Sequence, residues 1–144
     1  MKTLFLLLLT TITIGYSQTD EEAIISLLEK ESATWRAGDI EAHASCWSIR
    51  PYSRIFVSTA DGNSIDVPPI MMINPPENII GQGGTSKNSN YKMNIAENHA
   101  WVSHDEESTT ADGITNYTYE IRILEKIDGD WKLVGQSIHP RKID

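Results

Sequence analysis

The chain has 144 residues, with 12 lysines and arginines against 20 aspartates and glutamates, which gives a formal net charge of −8. This length suits one domain with a single hydrophobic core. The acidic balance argues against nucleic acid and anionic membrane surfaces as partners, because like charges repel. A lone cysteine, Cys46, excludes an internal disulfide, so hydrophobic packing must hold the fold.

The first seventeen residues have the layout of a secretory signal peptide. Lys2 precedes an apolar run over residues 4–14, and small or polar residues follow it. The run is too short to span a bilayer comfortably, although a retained membrane anchor is the alternative. We therefore predict a signal peptide at 1–17 and one domain at 18–144. The mature protein is predicted to be periplasmic or secreted, without membrane contact after cleavage.

Two helices are predicted at the start of the mature chain. The first covers residues 20–36, and its apolar residues recur at helical spacing: Ile24, Leu27, Leu28 and Trp35. Gly38 ends this helix, and Asp39 is placed to cap a second, short helix over residues 40–47. Cys46 lies in the apolar part of the second helix, which predicts that it is packed rather than reactive.

The middle of the chain predicts a hairpin followed by an irregular segment. Residues 53–67 read as two short strands around an Asp61-Gly62 turn. Four prolines interrupt residues 68–90 and exclude any long element there. The "GQGG" cluster at 81–84 lacks the Lys-Ser or Lys-Thr of a phosphate-binding loop, so it is interpreted as part of a flexible loop.

Four strands joined by three tight turns are predicted for the remainder. The turns fall at Glu97-Asn98, Asp112-Gly113 and Asp128-Gly129, and each is treated as a two-residue loop. Counting outward from them fixes the strand register, which places His104 opposite Ile121 and Tyr91.

This register gives the predicted sheet two distinct faces. The inner face carries Met93, Ile95, Val102, Ile121, Ile123, Val134 and Ile138, with Tyr91, His104, Glu106, Tyr119 and Gln136 toward one end. The outer face carries Trp101, Leu124, Trp131 and Leu133 beside the charged Asp105, Glu107, Glu120, Arg122 and His139. The helices must cover the inner face, because their own apolar stripes need burial.

Three segments resemble the nuclear transport factor 2-like (SnoaL-like) superfamily: "TWRAGDIEAHASCW", "NIAENHAWVSHDE" and "YEIRILEKIDGDWKLVGQSIH". The resemblance implies an α+β, cone-shaped fold in which N-terminal helices pack on a strongly curved mixed or antiparallel sheet. It also implies a pocket and often a homodimer through the sheet. The superfamily includes isomerases, dehydratases, cyclases and non-enzymatic binding modules, so the fold does not settle the function.

The candidate site is the open end of the predicted cone. His104 and Glu106 lie two residues apart on the inner face beside Tyr119, a set suited to acid–base proton transfer. The alternative is a buried polar network that only satisfies itself. The residues predicted to bind a ligand around this set are Trp35, His43, Trp47, Tyr91 and Gln136, although the two tryptophans also fit a purely structural role.

No metal or cofactor is predicted, because His104 and Glu106 supply only two ligands and a third is not evident. His139, Ser137 and Glu120 suggest a hydrolytic triad on the outer face. The chain has no G-x-S-x-G nucleophile elbow, so a solvated or interface cluster is predicted instead.

The predicted function is binding of a small, apolar-bodied molecule in the cone, and the alternative is a lyase or isomerase that uses His104, Glu106 and Tyr119. The predicted outer apolar residues suggest a homodimer contact. Cover by the segment at 68–90 is the other interpretation. The four residues of this predicted contact are Trp101, Leu124, Trp131 and Leu133.

Overall fold

The computed structural model describes residues 18–142. The predicted signal peptide lies outside the described residues and stays a prediction. Within residues 18–142, no helix combines the length and the apolar character needed to cross a membrane.

Two helices precede a six-stranded sheet. The elements are α1 (Asp20–Ala37), α2 (Ile40–Ala44), β1 (Ile55–Ser58), β2 (Ser64–Val67), a 3-10 helix (Pro69–Met72), β3 (Thr85–Ala96), β4 (His99–Thr109), β5 (Thr115–Ile127) and β6 (Asp130–Pro140). The strand order is β2-β1-β6-β5-β4-β3, and only the β1–β6 contact is parallel. The predicted α+β class with helices on a mixed sheet is confirmed.

Helix α1 begins and ends as its sequence predicts. Thr19 and Glu22 form a capping box, in which each side chain accepts a hydrogen bond from the other's backbone N–H. Gly38 ends the helix in the left-handed conformation, with a φ of 76°. Ile24 and Leu28 are buried against the sheet, so the apolar stripe of α1 faces the core as expected.

The β3–β4 hairpin has the predicted two-residue turn, since Ala96 lies opposite His99. The pairing therefore points Val102, His104 and Glu106 toward the helices, and all three side chains are buried. These orientations agree with the predicted face of β4.

The β4–β5 turn is one residue longer than predicted. The Thr110 N–H donates to the Ile114 carbonyl at 2.9 Å, and the Gly113 N–H donates to the Thr110 carbonyl at 3.0 Å. Gly113 has a φ of +88°, so the turn is a three-residue loop with a left-handed glycine. The predicted two-residue loop is wrong here, and a slip of one residue exchanges the two faces of β5.

The exchange changes which residues of β5 are buried. Glu120, Arg122 and Leu124 are buried, whereas Tyr119, Ile121 and Ile123 are exposed on the outer face. Accordingly, His104 lies opposite Glu120 rather than Ile121, and Glu106 lies opposite Thr118 rather than Tyr119.

The β5–β6 turn has the predicted two residues, but a bulge follows it. Leu124 lies opposite Leu133 and Ile123 lies opposite Gly135, which leaves Val134 as the extra residue. Leu133 and Trp131 precede the bulge and share the face of Leu124, so the exchange of faces on β5 buries them, against the prediction that they lie on the outer face. The main hydrophobic core contains Ile24, Leu28, Cys46, Trp47, Ile55, Met72, Ala100, Val102, Leu124, Trp131 and Leu133.

The segment before β3 is tied to the end of α1. The Gly81 N–H donates to the Trp35 carbonyl at 2.9 Å, and the Gly83 N–H donates to the Arg36 carbonyl at 3.0 Å. These bonds satisfy carbonyl groups that a helix C-terminus leaves free. They hold in place a segment that the sequence predicts to be a flexible loop, and β3 already begins at Thr85.

Candidate functional site

A cavity of about 360 Å³ lies between α1 and the inner face of the sheet. Its apolar lining comes mainly from β1, the segment after β2 and the end of β6. Its charged lining comes from α1, β4 and β5. The lining residues are Glu31, Ser32, Trp35, Arg36, Ile55, Val57, Val67, Met72, Ile79, Glu106, Ser108, Thr118, Glu120, Arg122, Gln136 and Ile138.

Arg122 is the central charge of the cavity wall and is only 4% exposed. It donates hydrogen bonds to Glu120 and Gln136, and its Nη1 lies 3.6 Å from Glu31 Oε2. Burial opposes its charged form, but Glu120, Glu31 and Glu106 outweigh burial and raise the pKa of Arg122. The guanidinium is therefore a fixed positive charge inside the fold.

Glu106 faces the cavity from β4. Its Oε1 accepts a hydrogen bond from Arg36 Nη2 at 2.7 Å, and its Oε2 accepts one from Ser32 Oγ at 3.2 Å. Burial raises the pKa of Glu106, and the nearby Glu120 carboxylate adds to the rise. The Arg36 charge opposes this rise and holds the Glu106 carboxylate in an ion pair.

His104 lies behind this wall rather than in the cavity lining. Its Nε2 is 3.8 Å from Glu120 Oε2, and its ring centroid is 5.4 Å from that of Tyr91. Burial lowers the pKa of His104, and the Arg122 charge lowers it further. The imidazole is therefore neutral near pH 7, and its Nε2 is buried beside Glu120 without a hydrogen-bond partner among residues 18–142.

His43 and Trp47 are also packed behind the wall. The His43 ring contacts Trp35 at a centroid distance of 5.0 Å, and its Nε2 lies 3.7 Å from Glu31 Oε1. Trp47 is 5% exposed and belongs to the hydrophobic core. Trp35 alone of these three lines the cavity.

The structure thus divides the predicted site residues into three groups. Glu106, Trp35 and Gln136 line the cavity. His104, His43, Trp47 and Tyr91 do not line it. Tyr119 does not line it either, and its predicted inner-face position is wrong, because the longer β4–β5 loop turns it to the outer face, where it is 51% exposed.

The sequence prediction missed four charged residues of the cavity: Glu31, Arg36, Glu120 and Arg122. Glu120 and Arg122 were assigned to the outer face by the register error. Glu31 and Arg36 follow the first helix stripe at three- and four-residue spacing from Leu28 and Ser32, so helical periodicity was an available signal for them.

The structure separates the residues of the suggested Ser-His-Glu group. His139 contacts the Ser137 hydroxyl at 2.7 Å and the Ser58 hydroxyl at 2.9 Å. Glu120 lies on the opposite face of the sheet, so no carboxylate of that set orients the imidazole. Within residues 18–142, no group of three His, Cys, Asp or Glu side chains is arranged to hold a metal ion.

Burial of His104 predicts a loss of stability in mild acid. The pKa of His104 is lowered in the folded state, so protonation favours the unfolded chain. The free energy of unfolding should therefore fall as the pH drops below about 6.5, the usual histidine value. Urea denaturation between pH 8 and 5 measures this, and His104→Gln should flatten the slope. His99→Gln, at an exposed position of β4, is the control and should retain the wild-type slope.

Solved structures provide the comparison that decides the fold. An NTF2-like protein from Cytophaga hutchinsonii is similar with a TM-score of 0.67 and 16% identity, over 86% of this chain and 100% of that one. The chain has the NTF2-like fold. A similar NTF2-like protein of unknown function from Shewanella baltica gives a TM-score of 0.62 at 16% identity, over 88% of this chain and 100% of that one.

A third similar structure is the association domain of C. elegans CaMKII. It is similar with a TM-score of 0.60 and 17% identity, over 83% of this chain and 94% of that one. No protein-family model and no curated protein matches the chain. At these identities the likeness establishes the NTF2-like fold and confirms the cone-shaped architecture predicted from the sequence. The function must be argued from the cavity.

Proposed function

We propose that the cavity binds a small organic molecule that has an apolar body and a polar head. The observation that supports this is the division of a cavity of about 360 Å³ into one apolar and one charged wall. Volumes of this order suit small ligands, and a few convergent polar groups in an otherwise apolar pocket fix a ligand's orientation.

The two walls assign the two ends of the ligand. Ile55, Val57 and Ile138 belong to the apolar wall, which removes a ligand body from water. The charged wall presents Glu106 and Arg122, which can fix a polar head through charge-assisted hydrogen bonds. The proposal is therefore for recognition of an amphipathic small molecule.

Binding is favoured over proton transfer by His104, Glu106 and Tyr119, because only Glu106 of these three residues lines the cavity. Tyr119 is on the outer face and His104 is behind Glu120, so neither reaches a molecule in the cavity. A lyase or isomerase reaction is the second candidate, supported by Glu106, whose raised pKa suits an acid–base group. Mass spectrometry of a co-purified ligand before and after incubation separates the two, since only the enzyme changes the ligand.

Filling the cavity should abolish binding. Val57→Trp places a large ring in the apolar wall, so we expect at least a tenfold loss of affinity for the fluorophore 1-aminoanthracene. Fluorescence titration of residues 18–144 measures it. Ile114→Trp, at an exposed position of the β4–β5 loop that does not line the cavity, is the matched control and should bind like the wild type. Equal affinity of the Val57→Trp and wild-type proteins would overturn the proposal.

We further propose that the outer face of the sheet contacts a second copy of the chain. Trp101 lies opposite Ile123, and these side chains with Ile121 are 43–50% exposed. Of the four residues predicted for this contact, only Trp101 lies there. Leu124, Trp131 and Leu133 are core residues. Cover by residues 68–90 is excluded, because Met72 and Ile79 from that segment line the cavity on the inner side.

The dimer proposal predicts a change of mass on charge insertion. Ile123→Glu places a carboxylate in the centre of the outer patch and should convert a dimer to a monomer, because an unpaired charge in an apolar contact is costly. Light scattering after size exclusion measures the mass. Ile114→Glu, exposed in the β4–β5 loop outside the patch, should remain dimeric. A wild-type monomer at every concentration would contradict the proposal.

Export is a proposal that rests on the pattern of residues 1–17 alone. It is compatible with a binding domain that meets its ligand outside the cytoplasm.

A further inference from the structure

We propose that the head group recognised by the charged wall is a protonated amine. This inference rests on the proposed small-molecule function of the cavity and names the chemical class of the ligand. The geometry that carries it is a carboxylate surplus in the cavity wall, together with one buried carboxylate that receives no hydrogen bond.

The charges that line the cavity do not balance. Three carboxylates, Glu31, Glu106 and Glu120, face two guanidinium groups, Arg36 and Arg122. Arg36 pairs with Glu106 at 2.7 Å, and Arg122 pairs with Glu120. The third carboxylate, Glu31, has no guanidinium to itself and shares Arg122 with Glu120, at 3.6 Å.

The Glu31 carboxylate has no basic group within hydrogen-bond distance in residues 18–142. Its side chain is 7% exposed, and its nearest basic groups are Arg122 Nη1 at 3.6 Å and His43 Nε2 at 3.7 Å. Both distances exceed those of protein hydrogen bonds. Within residues 18–142, no group donates a hydrogen bond to this carboxylate. A buried carboxylate in that state is costly, and an ammonium group from the cavity would supply both the charge and the donors.

An anionic head group is the competing inference. Arg36 Nε and Arg122 Nε are buried without acceptors in the structure, so each guanidinium has an N–H that could donate a hydrogen bond to an anionic ligand. However, an anion would bring a further negative charge close to three carboxylates in a partly dehydrated space, where like charges repel strongly. The charge balance therefore favours a cation over an anion.

Three probes of similar shape test the head group. They are 2-phenylethylamine, 2-phenylethanol and 3-phenylpropanoate, which carry a cationic, a neutral and an anionic head on the same phenyl body. Isothermal titration of residues 18–144 at neutral pH and low salt should show the amine binding about tenfold or more tightly than the alcohol, as expected for a charge-assisted hydrogen bond. The carboxylate should bind more weakly than the alcohol.

A substitution of Glu31 tests the contact itself. Glu31→Gln keeps the size of the side chain but removes its charge, so the amine should bind no more tightly than the alcohol. Retained binding of 1-aminoanthracene by this variant shows that the cavity is intact. Glu41→Gln, an exposed glutamate of α2, removes the same charge elsewhere and should leave the amine preference in place.

The failures of the two proposals are distinguishable. If 1-aminoanthracene binds in the cavity but the carboxylate probe is preferred, or the three probes bind alike, the amine inference is overturned and the cavity function stands. Persistence of the amine preference in Glu31→Gln also overturns the inference. If the fluorophore binds equally well when Val57→Trp fills the cavity, the proposed function itself falls.

Discussion

Replacement of Arg122 by methionine is expected to lower the free energy of unfolding by about 3–5 kcal/mol, the usual cost of removing one partner of a buried ion pair. Methionine retains most of the aliphatic stem but not the charge. Glu120 and Glu31, which are 3% and 6% exposed, then stay buried without their common cation. Urea denaturation monitored by tryptophan fluorescence measures the loss.

The control for Arg122→Met is Arg54→Met. Arg54 also forms an ion pair, with Asp66 at 2.9 Å, but the two side chains are 63% and 52% exposed. Exposed ion pairs contribute about 1 kcal/mol or less, so this substitution should change the stability little. If the two arginine variants lost the same free energy, the charged wall would be hydrated rather than buried, and the Arg122 prediction would fail.

A second substitution should rescue part of the Arg122→Met loss. Glu120→Gln in the same chain removes one of the carboxylates that the missing guanidinium leaves unpaired. The double variant should therefore be more stable than Arg122→Met alone, although Glu120→Gln by itself is destabilising because it weakens the hydrogen bond from Arg122. Glu120→Gln thus destabilises the wild type but stabilises Arg122→Met, and this reversal distinguishes a charge effect from a packing defect.

The burial of Arg122 also explains why the sequence predicts the wrong buried face for β5. Residues 119–123 alternate between apolar and charged side chains, with Tyr119, Ile121 and Ile123 on one face and Glu120 and Arg122 on the other. Binary patterning places the apolar set inside. The protein instead buries the charged set, where the charges compensate one another across α1, β4 and β5. No local pattern on β5 reports a partner such as Glu31, so this part of the site could not be predicted from β5 alone.

The turn that causes the β5 error does have a local signal. The tetrapeptide Thr-Ala-Asp-Gly occurs at residues 59–62 and again at 110–113. In both copies the threonine N–H donates to the carbonyl four residues on, at 2.9 Å, and the glycine N–H donates to the threonine carbonyl at 3.0 Å. Asp128-Gly129 lacks the preceding threonine and closes a two-residue turn. The threonine thus marks the longer loop.

The helices and the face of β4 could be predicted because their signals are local. A capping threonine, apolar spacing and Gly38 define α1, and the Glu97-Asn98 turn alone fixes Glu106 toward the cavity. The bulge in β6 is harder to predict from the sequence. Gln136 faces the cavity only because the bulge at Val134 reverses the alternation along β6. Gly135, the next residue, is the available signal, since a glycine inside a strand often marks a bulge, but it does not fix where the extra residue lies.

The second large effect is expected from Gly84→Ala, which should lower the free energy of unfolding by about 2–4 kcal/mol through backbone strain and overpacking together. Gly84 has a φ of +83°, and an added Cβ would lie 2.2 Å from the Thr109 carbonyl oxygen. Thr109 pairs with Thr85 at the end of the β3–β4 ladder, so the backbone there must move. Thermal and urea denaturation measure the loss.

Gly113→Ala separates the two contributions to the Gly84 effect. Gly113 has a similar φ of +88°, but no atom lies within 4 Å of its added Cβ, so alanine there meets only the strain of the left-handed conformation, about 1–2 kcal/mol. The excess loss in Gly84→Ala then measures the close approach of the two chain segments. Equal losses would mean that residues 81–84 shift freely away from β4, which is incompatible with their hydrogen bonds to the end of α1.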